Sequence, residues 1–392
     1  MPTIRPETRQ FIENLIAFDT TSAKSNMALI DFAEDYLTGQ GARCRRVINA
    51  EGTKANLVAS LGPEASGGLV LSGHSDVVPV DGQIWDSDPF TVVERSGRLY
   101  GRGTADMKSF LATALALVPE FQAQPLARPL HIALSYDEEV GCTGVGSMIR
   151  DIIDNLPRPE MVIIGEPTGM RIINGHKGCY IFETRIRGRA AHSSQPHHGG
   201  NAILAAGRLI AFLADMAMQK RREASKDTPF DPPYTTFNLG QIEGGQAINI
   251  VAQDCRFFWE FRPLPGEDSD AIVAAFEAFA QNEVLPFLAE FAPDAKIQNS
   301  PVATVPPLAP ESDGAAEQLV RRLSGSNTPA GAVSFGTEGG LFQAAGFSTV
   351  VFGPGSIDQA HKPNEYIALE QVAACEEFLL KVRDWAASGP GK

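Results

Sequence analysis

Short apolar, β-rich runs alternate with segments of helical periodicity through the first part of the chain. "NLVASL", "GLVLSG", "PLHIALSY" and "MVIIG" read as strands. Between them, the pattern predicts a helix from about Met107 to Phe121 and another after Gly144. Strands separated by helices predict an α/β fold, with helices on both faces of a mixed sheet. Ligands in such sheets bind beyond the strand ends, where the loops emerge. The polar clusters Ser72–Asp76, Tyr136–Glu139 and Gly165–Thr168 fall at those ends.

The pattern changes near Gly178. "CYIFETRIRG" alternates as a strand with one solvated face does, and "NAILAAGRLIAFLADMAMQ" reads as a long helix capped by Asn201. "YTTFNLGQI", "DCRFFWEFRPL", a helix from about Ser269 to Phe287 and a short "AKIQNS" complete a β-α-β-β-α-β order. That order predicts an inserted ferredoxin-like α+β domain. After the Pro-rich "SPVATVPPLAP" the α/β alternation resumes, with "TVVFG" and a final helix from about Leu369 to Ala387. The expected organisation is a discontinuous catalytic domain, residues 1–178 and 293–392, interrupted by a domain at 179–292.

Composition narrows the class. The 392 residues exceed one ordinary core, and 43% hydrophobic with 20% charged residues describes a folded globular chain. A net charge of −14 argues against a nucleic-acid surface. Five cysteines without a CxxC pair suit reduced thiols, not a disulfide framework or a thiolate zinc site. The first twenty residues resemble the start of an amphipathic helix rather than a leader. No uninterrupted apolar run approaches a membrane span. A cytoplasmic protein with no membrane partner is the expectation.

The strand-end clusters carry the candidate chemistry. In "GHSDVVP", His74 and Asp76 are two apart and share a strand face, so the carboxylate can orient the imidazole as partners of metal-bound histidines do. The bland alternative is a polar strand end. In "YGRGTADMKS", Asp106 alone reads as a helix N-cap. Glu166 in "GEPTG" alone reads as a turn acid, and His361 in "GSIDQAHKPNEY" as a surface histidine. "LSYDEEVGCTG" places Asp137, Glu138 and Glu139 side by side where an apolar strand runs out. Together these loops supply two imidazoles and several carboxylates, too many for one ion. A pair of ions about 3.5–4 Å apart, sharing one carboxylate, accommodates them and leaves one acid over as a general base. Histidine with oxygen ligands suits zinc, cobalt or manganese.

These motifs, with "AHSSQP" and "GGNAI" from the inserted segment, resemble the M20 metallopeptidases, the di-zinc aminoacylase and carboxypeptidase G2-like group, over essentially the whole chain. The resemblance implies that Asp106 bridges two divalent ions, zinc first and cobalt as the alternative. His74 and Glu166 would complete one position, Glu139 and His361 the other. Glu138 becomes the general base and Asp76 the residue orienting His74. By the same resemblance the Asp106–Met107 peptide is cis. The inserted domain becomes a lid and homodimerisation domain, and His192 a contact to the reacting carbonyl oxygen. Asn249 in "AINIV" and Arg262 in "EFRPLP" would hold a substrate carboxylate.

The implied activity is hydrolysis of an N-acyl amino acid. The wording of "GHKG", "RGRAAHSS" and "GTEGG" favours N-acetyl-L-ornithine, a substrate of arginine biosynthesis. Its side-chain ammonium calls for an acid, and Glu338 is the candidate, with a helix-start acid as the alternative reading. Other N-formyl or N-succinyl amino acids and short dipeptides are the competing substrates. A catalytically silent binding protein would lack ligands or the base, and neither is missing.

Overall fold

The computed structural model describes residues 3–225 and 227–389. Contacts divide the chain into two compact units. The larger comprises the chain up to Gly175, Leu308–Ala332 and the chain from Thr337; the smaller comprises His176–Pro307 and Val333–Gly336.

The larger unit is built on an eight-stranded sheet. Its spatial order is Arg43–Ile48, Ala55–Leu61, Leu130–Ser135, Leu69–His74, Met161–Ile164, Ser348–Val351, Ile173–His176 and Gly331–Val333. Leu69–His74 runs parallel to both Leu130–Ser135 and Met161–Ile164, while Ala55–Leu61 is antiparallel to Leu130–Ser135, so the sheet is mixed. Leu69–His74, Leu130–Ser135 and Met161–Ile164 are buried along their whole length, as expected where helices flank a sheet. Their carboxyl ends lie along one edge: His74 pairs with Ser135, and Ser72 with Ile164. The loops that leave these strands therefore share a neighbourhood.

The first expected helix is broken. It forms as Lys108–Ala116 and Val118–Gln122, with Leu117 between them. Pro119 lacks an amide proton and its ring crowds the carbonyl four residues back, so one continuous helix is excluded. Leu115, Leu117 and Phe121 still reach the same core. A small sheet of Val93–Arg95, Arg98–Tyr100 and Tyr366–Ala368 gave no periodic signal, because each strand has only three residues.

The smaller unit has the strand–helix–strand–strand–helix–strand connectivity. Its antiparallel sheet has the spatial order Thr236–Gly244, Asp254–Arg262, Cys179–Arg187, Lys296–Val305. One face carries Phe182, Phe257, Trp259 and Phe261 into a core with Leu209 and Phe276 from the two long helices. A fully buried aromatic of this kind contributes about 1.5–3 kcal/mol. The helices Ala202–Arg222 and Ser269–Ala289 are long and apolar enough to cross a membrane by length and composition alone. That differs from the expectation drawn from uninterrupted runs. Here their apolar residues cover the sheet.

The expected boundary at 292/293 moves to 307/308. Lys296–Val305 pairs with Cys179–Arg187 along nine positions and belongs to the smaller unit. The Pro-rich segment concealed it. Pro301 is tolerated because this is an edge strand, and the register shifts between Pro301 and Ala303.

Candidate metal centre and active site

His74 ends its strand almost fully buried, and Asp106 lies in the loop before Lys108–Ala116. His74 Nε2 is 3.1 Å from Asp106 Oδ1, and His361 Nε2 is 3.3 Å from Asp106 Oδ2. The two oxygens of one carboxylate thus face two different imidazoles. His361 Nε2 is also 3.0 Å from Glu139 Oε2, and His74 Nε2 is 3.8 Å from Glu166 Oε1. Among the described residues, two overlapping groups each hold donor atoms within 4.8 Å of one another: His74, Glu138 and Glu166, and His74, Asp106 and Glu139. Imidazole nitrogens and carboxylate oxygens around a shared aspartate are a donor set that fits a pair of divalent ions.

Local structure explains how these groups meet. Glu166 follows Gly165, where a Cβ would stand 2.1 Å from the Phe110 ring, so the chain approaches the helix only as glycine. Pro167 keeps the next step extended. The Asp106–Met107 peptide is cis. Glu365, itself fully buried, accepts the Ala105 and Asp106 amides at 2.8 and 3.1 Å on one oxygen, and Arg102 Nη1 at 2.7 Å on the other. Sequence reasoning missed this brace; its only trace was the acid inside "HKPNEY".

The three adjacent acids separate into three environments. Asp137, at φ 56°, pairs with Lys54, which also donates to the Ser22 carbonyl. Glu139 faces His361. Glu138 is half-buried near His74, with the Cys142 thiol 3.5 Å from its Oε1. The main chain here is pinned by Asp76, which accepts the Glu138 amide at 3.1 Å and the Glu139 amide at 3.3 Å, and Ser22 Oγ at 2.7 Å.

Asp76 stands beside His74 as well. Its carboxylate lies 3.6 Å from His74 Nδ1, and the hydrogen-bonding partner of that nitrogen is the Asp76 backbone carbonyl at 2.9 Å. The chain leaves the strand at His74, and Asp76 reaches the imidazole with both its backbone carbonyl and its carboxylate. Glu338 follows its alternative reading, standing at the start of the helix Gly339–Ala344. It is fully buried, and its carboxylate accepts from Ser72 Oγ and from Ser135 Oγ, the latter at 2.8 Å. A carboxylate enclosed this way gives no exposed surface to a substrate ammonium. His192, Asn249 and Arg262 lie in the smaller unit. His192 and Asn249 are exposed, His192 Nδ1 is 2.7 Å from Ser194 Oγ, and Arg262 pairs with Glu260 at 3.2 Å.

The electrostatics follow from this crowding. Burial pushes the Glu138 carboxyl up to about 8; His74 opposes the shift, and Glu139 and Asp106 add to it. Burial also raises Glu166, reinforced by Asp106. Burial works against the Asp106 anion too, but hydrogen bonds from His361 and His74 outweigh it and hold that carboxyl below its usual range. Hydrogen bonds to Asp106 and Glu139 raise His361 to about 10. Burial opposes the His74 cation, yet Asp106 and the nearby carboxylates raise it well above an ordinary histidine.

Both imidazoles are therefore protonated in the metal-free protein at neutral pH, and a metal needs them neutral. Loading at pH 7 is therefore expected to release protons, and affinity is expected to rise with pH up to the His361 value of about 10. Calorimetry in buffers of different ionisation enthalpy measures this. An affinity that stays flat between about pH 6 and 8 would contradict the arrangement.

Comparison with known proteins agrees with this geometry. The model of peptidase family M20/M25/M40 matches residues 70–383. The chain is 37% identical to an acetylornithine deacetylase of Myxococcus xanthus, covering 96% of each chain. It is 34% identical to an acetylornithine deacetylase of Pasteurella multocida, covering 96% of this chain and 97% of that one. A tripeptidase of Staphylococcus aureus shares the fold at TM-score 0.73 and 19% identity, over 99% of this chain and 100% of its own. An M20 metallo-carboxypeptidase of Sulfolobus solfataricus does so at TM-score 0.73 and 17% identity, over 97% and 100%. With the carboxylate–histidine cluster at the strand ends, these matches establish that the chain is a metal-dependent amidohydrolase belonging to peptidase family M20/M25/M40.

Proposed function

We propose that the protein hydrolyses the amide of N-acetyl-L-ornithine, releasing L-ornithine and acetate. Asp106 carries the reading, because its two oxygens face His74 and His361 while a further acid, Glu138, is held beside them. The named relatives, more than a third identical across nearly the whole chain, support the substrate.

His74, Asp106 and Glu166 would hold one divalent ion, and Asp106, Glu139 and His361 the second, with zinc favoured and cobalt an alternative. When bound, the ions supply Lewis acidity and bring water within reach of deprotonation at neutral pH. Glu138 takes the proton of the attacking water and delivers it to the amide nitrogen as the C–N bond breaks, which balances the reaction. Asp76 fixes the Glu138 and Glu139 amides, so the base cannot drift toward the ligand positions. For the smaller unit we propose substrate contacts: His192 to the carbonyl oxygen, Asn249 and Arg262 to the α-carboxylate. Its connectivity supports a ferredoxin-like lid.

That unit also fits a homodimer interface. The edge strand Thr236–Gly244 is exposed, and Ile203, Leu204, Ile242 and Ile248 are exposed apolar residues. Light scattering should find two copies; a strict monomer would remove this part.

Substrate choice is tested by kcat/KM for N-acetyl, N-formyl and N-succinyl amino acids. N-acetylornithine should exceed N-acetylmethionine by about 10-fold or more, as a few side-chain contacts allow. A flat profile, or preference for a succinyl substrate, would favour the broader reading of another N-acyl amino acid or dipeptide hydrolase.

A further inference from the structure

His74 and His361 are held very differently. His74 sits at the end of a buried strand with Nδ1 on a backbone carbonyl. His361 is half exposed, at φ 62°, in a loop with no strand to fix it. Yet its main chain is tied to that of Asp106 through three side chains. Gln83 Nε2 donates to the His361 carbonyl at 3.1 Å. Gln83 Oε1 accepts from Arg102 Nη2 at 2.7 Å and from Trp85 Nε1 at 3.1 Å. Arg102 Nη1 donates to Glu365 Oε2 at 2.7 Å, and Glu365 Oε1 accepts the Ala105 and Asp106 amides. Arg102 and Glu365 are both 1% exposed. The guanidinium also stands 5.1 Å from the Trp85 ring centre.

We infer that Gln83 is a positioning residue for the second metal position: it fixes the His361 loop against the Asp106 loop through Arg102 and Glu365. The amide suits this task because it donates and accepts at once. A carboxylate or a hydrocarbon of the same length cannot do both. Arg102 and Glu365 form the buried half of the bridge, where Arg102 Nη1 also lies 3.4 Å from the Lys362 carbonyl, and Gln83 is the link to His361 itself. The first position shares Asp106, but its other ligands, His74 and Glu166, make no contact with the bridge, and Gln83 itself meets the His361 side alone. Loss of Gln83 should therefore weaken one position alone. The inference rests on the two-ion reading above.

The test is cobalt titration of the metal-stripped protein, followed by its visible absorption and by elemental analysis. Wild type should bind two ions. Gln83→Leu should bind the first ion as wild type does and the second about 10–100-fold more weakly, the range typical of lost supporting hydrogen bonds. Gln83→Glu keeps the Arg102 contact but cannot donate to the His361 carbonyl, and it should reproduce the defect. Gln83 is partly exposed, so both variants should melt within a few degrees of stripped wild type. Unchanged second-ion affinity in both variants overturns the inference, as does equal weakening of both ions. A normal Gln83→Glu overturns the link to His361. A single ion in wild type instead defeats the two-ion reading on which it rests.

Discussion

Glu138→Gln protein is expected to keep both metals and the fold while its kcat falls about 10²–10⁴-fold, the usual worth of a positioned proton acceptor. Glutamine preserves the size and the half-buried setting but cannot take a proton. The carboxyl sits at about 8 in the metal-free protein because burial and the neighbouring anions penalise its charge. Bound cations lower that value, so the acid limb of the kcat/KM profile should fall below pH 8. Stability gives an independent sign. A carboxyl raised from 4.5 to about 8 binds more protons when folded, so it costs the stripped fold stability as pH rises through that window. Stripped Glu138→Gln protein should therefore melt no lower than stripped wild type at pH 7, and higher near pH 8. Full activity in this variant would remove Glu138 from its role.

Asp106→Asn should have the opposite thermal effect and lose metal. An amide offers one neutral oxygen, and its NH₂ would face one of the two imidazoles. Elemental analysis after gel filtration should find the content falling from about two ions per chain to one or none. The Asp106 carboxyl is held below its ordinary value, so in wild type it stabilises the metal-free fold above that ordinary value, and the contribution fades as pH falls through the folded value. Stripped Asp106→Asn protein should accordingly melt lower than stripped wild type at neutral pH. Two ions retained at full affinity would rule out a shared carboxylate.

The sequence exposed the ligand types because each stands in a short polar cluster just past an apolar run. His74, Glu138, Glu139 and Glu166 needed only strand ends that face the same way, and the parallel pairing of their strands supplies that. What holds them in place was not legible. Lys54 reaches Asp137 across 83 residues, and Glu365 reaches the Asp106 amide across 259. No local pattern marks such a partner. Asp76 was legible as a neighbour of His74, but its hold on the Glu138 and Glu139 amides, 62 and 63 residues away, was not. Glu338 reads as an acid for a substrate ammonium or as a helix-start acid; it stands at the start of Gly339–Ala344, and Ser72 and Ser135, on two different strands, enclose it. The Pro-rich edge strand hid the domain boundary for a similar reason: proline argues against a strand unless the strand has a free side.

The most direct test of the account is product analysis of N-acetyl-L-ornithine incubated with stripped and metal-restored protein. Ornithine and acetate should appear in equal amounts, only after metal is restored, and saturate near two ions per chain. Restored protein that carries two ions yet hydrolyses neither this substrate nor any other N-acyl amino acid would contradict it.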